Sequence, residues 1–169
     1  MSKLTRKQII DIAKNIKLLI LDVDGVLTDG SIIIDNNGNE IKSFHVRDGH
    51  GIVMLLRKGI KVALITGRYS KIVEIRAREL GIKDVFQRCR EKESAYKMLA
   101  NKYKLKNNEI ACMGDDVVDI ELLKMCGLPI AVADAHREAK MHSIMITKEK
   151  GGKGAVREVC DFILKAKGF

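Results

Sequence analysis

The stretch LLILDVDGVLTDG, Leu18 to Gly30, runs four apolar residues straight into Asp22 and Asp24, with Gly25 just behind them. A strand buried on both faces of a parallel sheet reads as an unbroken apolar run rather than as an alternation. In open α/β sheets, ligands sit beyond the carboxyl ends of the strands. Acids that follow such a run at once are therefore candidates for chemistry, and a glycine beside them favours a tight turn and close approach of backbone amides to an anion.

Three later runs share the form: Val62 to Ile65, Ile110 to Met113 and Ile130 to Val132. Between them lie segments of helical period, Gly51 to Lys58, Ser70 to Leu80, Glu93 to Tyr103 and Val117 to Met125. Gly59, Gly81 and Gly127 follow three of these, where a C-terminal cap is expected. An earlier helix opens on Thr5, which with Gln8 makes a capping box. Strand and helix in alternation predict a doubly wound parallel α/β sheet of Rossmann type. At 169 residues the chain is long enough for one domain with a sizeable core, so a single domain over residues 1–169 is expected.

One segment breaks the alternation. SIIIDNNGNEIKSF, Ser31 to Phe44, carries Asn37-Gly38 between two extended stretches and predicts a β-hairpin inserted at about residues 30–46. Its isoleucines need a cover that a small sheet does not supply, which points to a partner subunit.

Composition narrows the classes. The chain is 46% hydrophobic and 31% charged, with no apolar run near the length of a membrane helix. Its first residues lack a signal peptide's apolar centre, so a cytoplasmic location is expected. Cys89, Cys112, Cys126 and Cys160 form no C-x-x-C pair and read as reduced structural thiols. The net charge of +9 suits an anionic partner, but aromatics are only 4% with no Trp, a poor stacking platform for single strands. No specific nucleic acid and no membrane partner is expected. KGGKGA, Lys150 to Ala155, lacks the spacing of a nucleotide P-loop and reads as a mobile tail facing an anion.

The strand ends offer four clusters: Asp22 with Asp24, Thr66-Gly67-Arg68, Lys92, and GDDVVD from Gly114 to Asp119. Several carboxylates facing one cleft repel each other and any phosphate unless a divalent cation sits among them. Mg2+ prefers oxygen ligands and bridges carboxylates to phosphate. Asp22, Asp24 and Asp115 are the candidate ligands, with Asp116 and Asp119 behind them; Asp119 would hold a metal-bound water, and Asp116 equally fits a helix cap. Asp22 is then the candidate nucleophile and Asp24 the general acid and base. Thr66 and Lys92 would stabilise the transferring phosphoryl group.

This constellation resembles the haloacid dehalogenase superfamily of phosphatases, whose four motifs stand here in order: Asp22 to Thr28, Thr66, Lys92, and Gly114-Asp115-Asp116-x-x-Asp119. LDVDGVLTDG, FHVRDGHG (Phe44 to Gly51), ITGR and KGGKGAVREVCDFIL are similar to the 3-deoxy-D-manno-octulosonate 8-phosphate phosphatases within it. That resemblance implies a capless homotetramer in which hairpin and C-terminal tail help complete neighbouring sites. It also implies a phosphorylated acid sugar as substrate. The pocket would be lined by Asp24, His45, Val46, Arg47, Asp48, Gly49, Gly67, Arg68, Arg76 and Lys92. QRCREK, Gln87 to Lys92, departs from the pattern in lacking the usual glycine and aspartate before the lysine. A nonulosonate 9-phosphate phosphatase shares much of the signature, and a catalytically silent binding module of the same fold is the alternative from another class.

Overall fold

In the computed structural model, which describes residues 4–169, the chain opens with α1 (Arg6–Lys14), β1 (Leu18–Leu21), the short strands β2 (Ile33–Ile34) and β3 (Glu40–Ile41), and α2 (Val46–Arg57). There follow β4 (Lys61–Ile65), α3 (Lys71–Leu80), β5 (Asp84–Phe86), α4 (Lys92–Tyr103) and β6 (Ile110–Gly114). The C-terminal part holds α5 (Ile120–Met125), β7 (Leu128–Ala131), α6 (Arg137–Met141), β8 (Met145–Ile146) and α7 (Ala155–Ala166). The capping box at α1 forms as expected: Thr5 accepts from the Gln8 N–H, and the Gln8 side chain accepts from the Thr5 N–H.

Six strands form one parallel sheet in the order β5-β4-β1-β6-β7-β8. β1 is central, with Leu21 level with Leu64 of β4 on one side and Met113 of β6 on the other. Leu18, Leu19, Ile20 and Leu21 are fully buried, as an unbroken apolar run between two helical layers requires. Each such side chain stabilises the fold by about 1.5–3 kcal/mol, and truncating one to alanine costs about 2–5 kcal/mol. This rigid strand fixes where Asp22 emerges.

The hairpin forms, but its turn is not the two-residue Asn37-Gly38 type that the dipeptide suggests. Ile34 pairs with Glu40, the Gly38 N–H donates to Asp35 O, and only Gly38 has positive φ, at 82°. The loop is a turn over Asp35 to Gly38 closed by a left-handed glycine, a common three-residue hairpin connection. Asp35 selects it, because its Oδ1 accepts the N–H groups of both Asn37 and Asn39. Ile32, Ile33, Ile34 and Ile41 remain exposed.

The glycine-rich segment corrects the expectation of a mobile tail. Gly152 N–H donates to Val26 O and Gly151 N–H to Asp134 Oδ1. A Cβ on Gly151 would stand 1.7 Å from Gly25 O, so only glycine lets this backbone lie against the loop after β1. Beyond it, α7 buries Val156, Val159, Cys160, Ile163 and Leu164 and packs along α2 and α1. Among the described residues all four cysteines are free thiols, three of them buried.

Candidate active site

The sheet register brings the strand-end residues together. Asp22 follows Leu21, Thr66 follows β4, and Asp115 follows β6, all at the carboxyl edge of three adjacent strands. Lys92 arrives from the first turn of α4. Its ammonium lies 2.7 Å from Asp22 Oδ1 and 2.6 Å from Asp119 Oδ1, and its side chain is 3% exposed.

Carboxylate oxygens of Asp22, Asp115 and Asp119 lie within 4.8 Å of one another. This trio differs from the expected Asp22, Asp24 and Asp115. Asp119 belongs to the 3₁₀ turn Val117–Asp119 and is already engaged: Oδ1 takes Lys92, and Oδ2 accepts the N–H groups of Asp115 (3.0 Å) and Asp116 (3.3 Å). Asp119 therefore fixes the loop that presents Asp115. Asp116 caps the same turn, its Oδ1 accepting the Val117 N–H at 2.7 Å.

Crowding shows in the electrostatics. Burial, and then the Asp119 charge, push the Asp22 carboxyl up to about 7 against the pull of Lys92. Burial and the charges of Asp22, Asp119 and Asp116 push Asp115 up to about 8. Although burial pulls it down, the Lys92 ammonium is held above its ordinary value by Asp22 and Asp119. A divalent cation relieves such repulsion, and the donor set is all hard oxygen, which fits magnesium. Gly25 completes the cradle. At φ 90° it passes so close that a Cβ there would lie 2.1 Å from Asp115 Oδ2.

Asp24 turns elsewhere. Its Oδ1 accepts a hydrogen bond from Lys42, with Arg68 Nη1 3.9 Å away. Thr66 is buried, and its Oγ1 accepts the Arg68 N–H at 3.3 Å; Gly67 beside it is exposed.

The remaining pocket candidates divide. Asp48 is buried, and both its oxygens are used: Oδ2 accepts the Gly154 N–H (3.2 Å) and Oδ1 the Arg157 N–H (2.7 Å). It caps α7 from α2, where an unpaired N-terminal amide would otherwise be buried. A Cβ on Gly49 would lie 2.3 Å from the guanidinium of Arg76, so a side chain there would push aside that flexible arm, which also lies near Phe44 and pairs with Glu79. Val46 is exposed, and Arg47 faces a depression of about 320 Å³ shared with Lys148, Lys153 and Arg157. His45 Nδ1 stands 4.0 Å from Asp48 Oδ2, beyond a hydrogen bond.

Lys42 and Glu40 escape the sequence reading. The signal for them is the alternation Glu40-Ile41-Lys42 on the second hairpin strand, which puts both charges on the face opposite an exposed isoleucine.

Residues 69–159 match the family model of haloacid dehalogenase-like hydrolases. The chain belongs to that family. The hydrolase is 48% identical over 156 residues to the 3-deoxy-D-manno-octulosonate 8-phosphate phosphatase of Escherichia coli K12, covering 92% of this chain and 83% of that one. The Yersinia pestis phosphatase of the same name superposes with a TM-score of 0.93 at 46% identity, over 95% of this chain and 86% of its own. The Moraxella catarrhalis phosphatase, solved with magnesium, phosphate and 3-deoxy-D-manno-octulosonate, gives 0.95 at 41% identity, over 97% and 94%.

Proposed function

We propose that this hydrolase is a magnesium-dependent phosphatase acting on 3-deoxy-D-manno-octulosonate 8-phosphate, releasing the free sugar and phosphate. The observation that carries the reading is the Asp22–Lys92–Asp119 bridge at the carboxyl edge of β1, with Asp115 and Gly25 closing a cation-sized gap. Relatives named for this substrate, at 41–48% identity across nearly the whole chain, support the sugar.

Asp22 and Asp115 would hold the magnesium, which when bound would offset the negative charge that otherwise repels a phosphate. The free oxygen of Asp22 attacks phosphorus in line, and the bond from phosphorus to the sugar oxygen breaks. Asp24 gives that oxygen its proton, then takes one from a water that attacks the aspartyl phosphate, restoring Asp22. Lys92 keeps the Asp22 carboxylate oriented, and the Thr66 hydroxyl donates to a phosphoryl oxygen. Arg68, at the rim with Nη2 paired to Glu40, keeps Nη1 for the sugar carboxylate.

The chain works as a homotetramer joined through its hairpins, a reading supported by four exposed isoleucines on one small ribbon. Light scattering of the Ile33→Glu, Ile41→Glu protein should show a smaller species. A cytoplasmic site of action is consistent with the absence, among the described residues, of a helix long and apolar enough to cross a membrane.

The deciding experiment is phosphate release from purified protein with magnesium across a panel of sugar phosphates. Preference for the octulosonate 8-phosphate supports the reading. Preference for a nonulosonate 9-phosphate moves the substrate, and no release from any ester overturns the activity.

A further inference from the structure

Lys42 is half-buried as a residue, and its little-exposed side chain reaches out of one element into another. Its side chain is 2% exposed, and its ammonium contacts Asp24 Oδ1 and lies 3.3 Å from Glu40 Oε1. Glu40 is itself gripped by Arg68 Nη2. A desolvated lysine is stable only when its charge is paired, and here both partners are acids on the rim of the candidate site. The contact joins the hairpin to the loop after β1, 18 residues away, and not one hairpin strand to the other.

Asp24 needs such a partner. It sits past the end of β1, in a turn, and among the described residues its carboxylate pairs only with Lys42 and, more distantly, Arg68. A carboxyl group that passes a proton must stand about 2.6–3.2 Å from the oxygen it serves. With Oδ1 held by Lys42, Oδ2 is the oxygen left to carry the proton for the leaving group.

We propose that Lys42 is a positioning residue that holds Asp24 for proton transfer to the leaving group, and that Glu40 holds Lys42 in place. The inference rests on the reading of Asp24 as general acid. It makes the hairpin part of the chemistry as well as an assembly surface.

Leaving-group dependence tests it. A sugar phosphate needs its departing alkoxide protonated; 4-nitrophenyl phosphate releases a stable phenolate that does not. Turnover on both esters is compared for the wild type, Lys42→Met, Lys42→Arg, Glu40→Gln and Asp24→Asn, each with a thermal melt. Asp24→Asn should lose on the order of 10² in kcat on the sugar phosphate and far less on the aryl ester. Lys42→Met should show the same split, at least about tenfold against less than about threefold, and Lys42→Arg should restore most of it. Glu40→Gln, on the hairpin surface, should give a smaller split in the same direction and decides the matter if Lys42→Met does not fold. Equal losses on both esters, no loss on either, or a raised KM with kcat unchanged would overturn the proposal. If Asp24→Asn shows the split and neither the lysine nor the glutamate variant does, only the positioning role fails. If Asp24→Asn shows none, the general-acid reading falls and this inference with it.

Discussion

Lys92 Nζ stands 2.7 Å from Asp22 Oδ1 although 70 residues separate the two in the chain. The pair is closed only when β1, central in the sheet, and α4, entering after β5, reach their places. Lys92 also holds Asp119, so one ammonium serves two buried carboxylates.

Replacing Lys92 with methionine should therefore damage both function and stability. Turnover should fall by about 10² or more, the scale of losing one electrostatic contact to the reacting group. In chelator at pH 8, urea unfolding should show a loss of about 3 kcal/mol, because two acids are left buried without their partner. Part of that loss should return at pH 6, where Asp22 takes up a proton. A variant as stable as the parent at pH 8 would contradict the bridge.

The pH dependence of the metal-free protein follows from Asp22 at about 7 and Asp115 at about 8, both above the ordinary 3.8. The folded chain keeps protons that the unfolded chain has released, so this contribution to stability is full below about pH 4 and disappears as pH rises through 7 to 8. Thermal melts in chelator should decline from pH 5 to about pH 8 and level off above it. Added magnesium should flatten the curve, since it binds the deprotonated oxygens. A flat profile in chelator would count against the crowding.

Gly25→Ala places a methyl group where the Asp115 carboxylate now lies and forces a side chain into φ 90°. The fold should survive, because Asp115 can swing aside. Magnesium affinity measured by calorimetry should fall roughly 10- to 100-fold. Unchanged affinity would remove Asp115 from the metal site.

Asp48→Ala should destabilise the protein by about 1–2 kcal/mol or more in urea, the cost of uncapping α7. Truncation before Lys150 would remove α7, a helix that completes the core.

What the sequence revealed and what it hid have physical reasons. Leu18 to Leu21 and Ile110 to Met113 are legible because strands buried on both faces leave continuous apolar runs; the glycines after α2 and α3 are legible because both have the positive φ of a helix stop, Gly59 at 80° and Gly81 at 78°. β5 and β8 are three and two residues long, too short for any period to register. α7 is masked by the glycines before it, although Val156, Val159, Cys160 and Ile163 carry a clear helical spacing. In the site, Asp22, Thr66 and Asp115 follow strands and Lys92 opens a helix, where motif order suffices. Asp48 sits in a matching stretch, yet its carboxylate serves Gly154 and Arg157, more than a hundred residues away. Lys42 is hidden for the same reason, since nothing local ties a hairpin lysine to Asp24.

In this mechanism Asp22 carries the phosphoryl group. Radiolabelled 3-deoxy-D-manno-octulosonate 8-phosphate, mixed with excess enzyme and magnesium, quenched in acid within milliseconds and mapped by peptide, should place the label on the segment containing Asp22, and Asp22→Asn should show none. Full phosphate release by Asp22→Asn, or label on another residue, would contradict it.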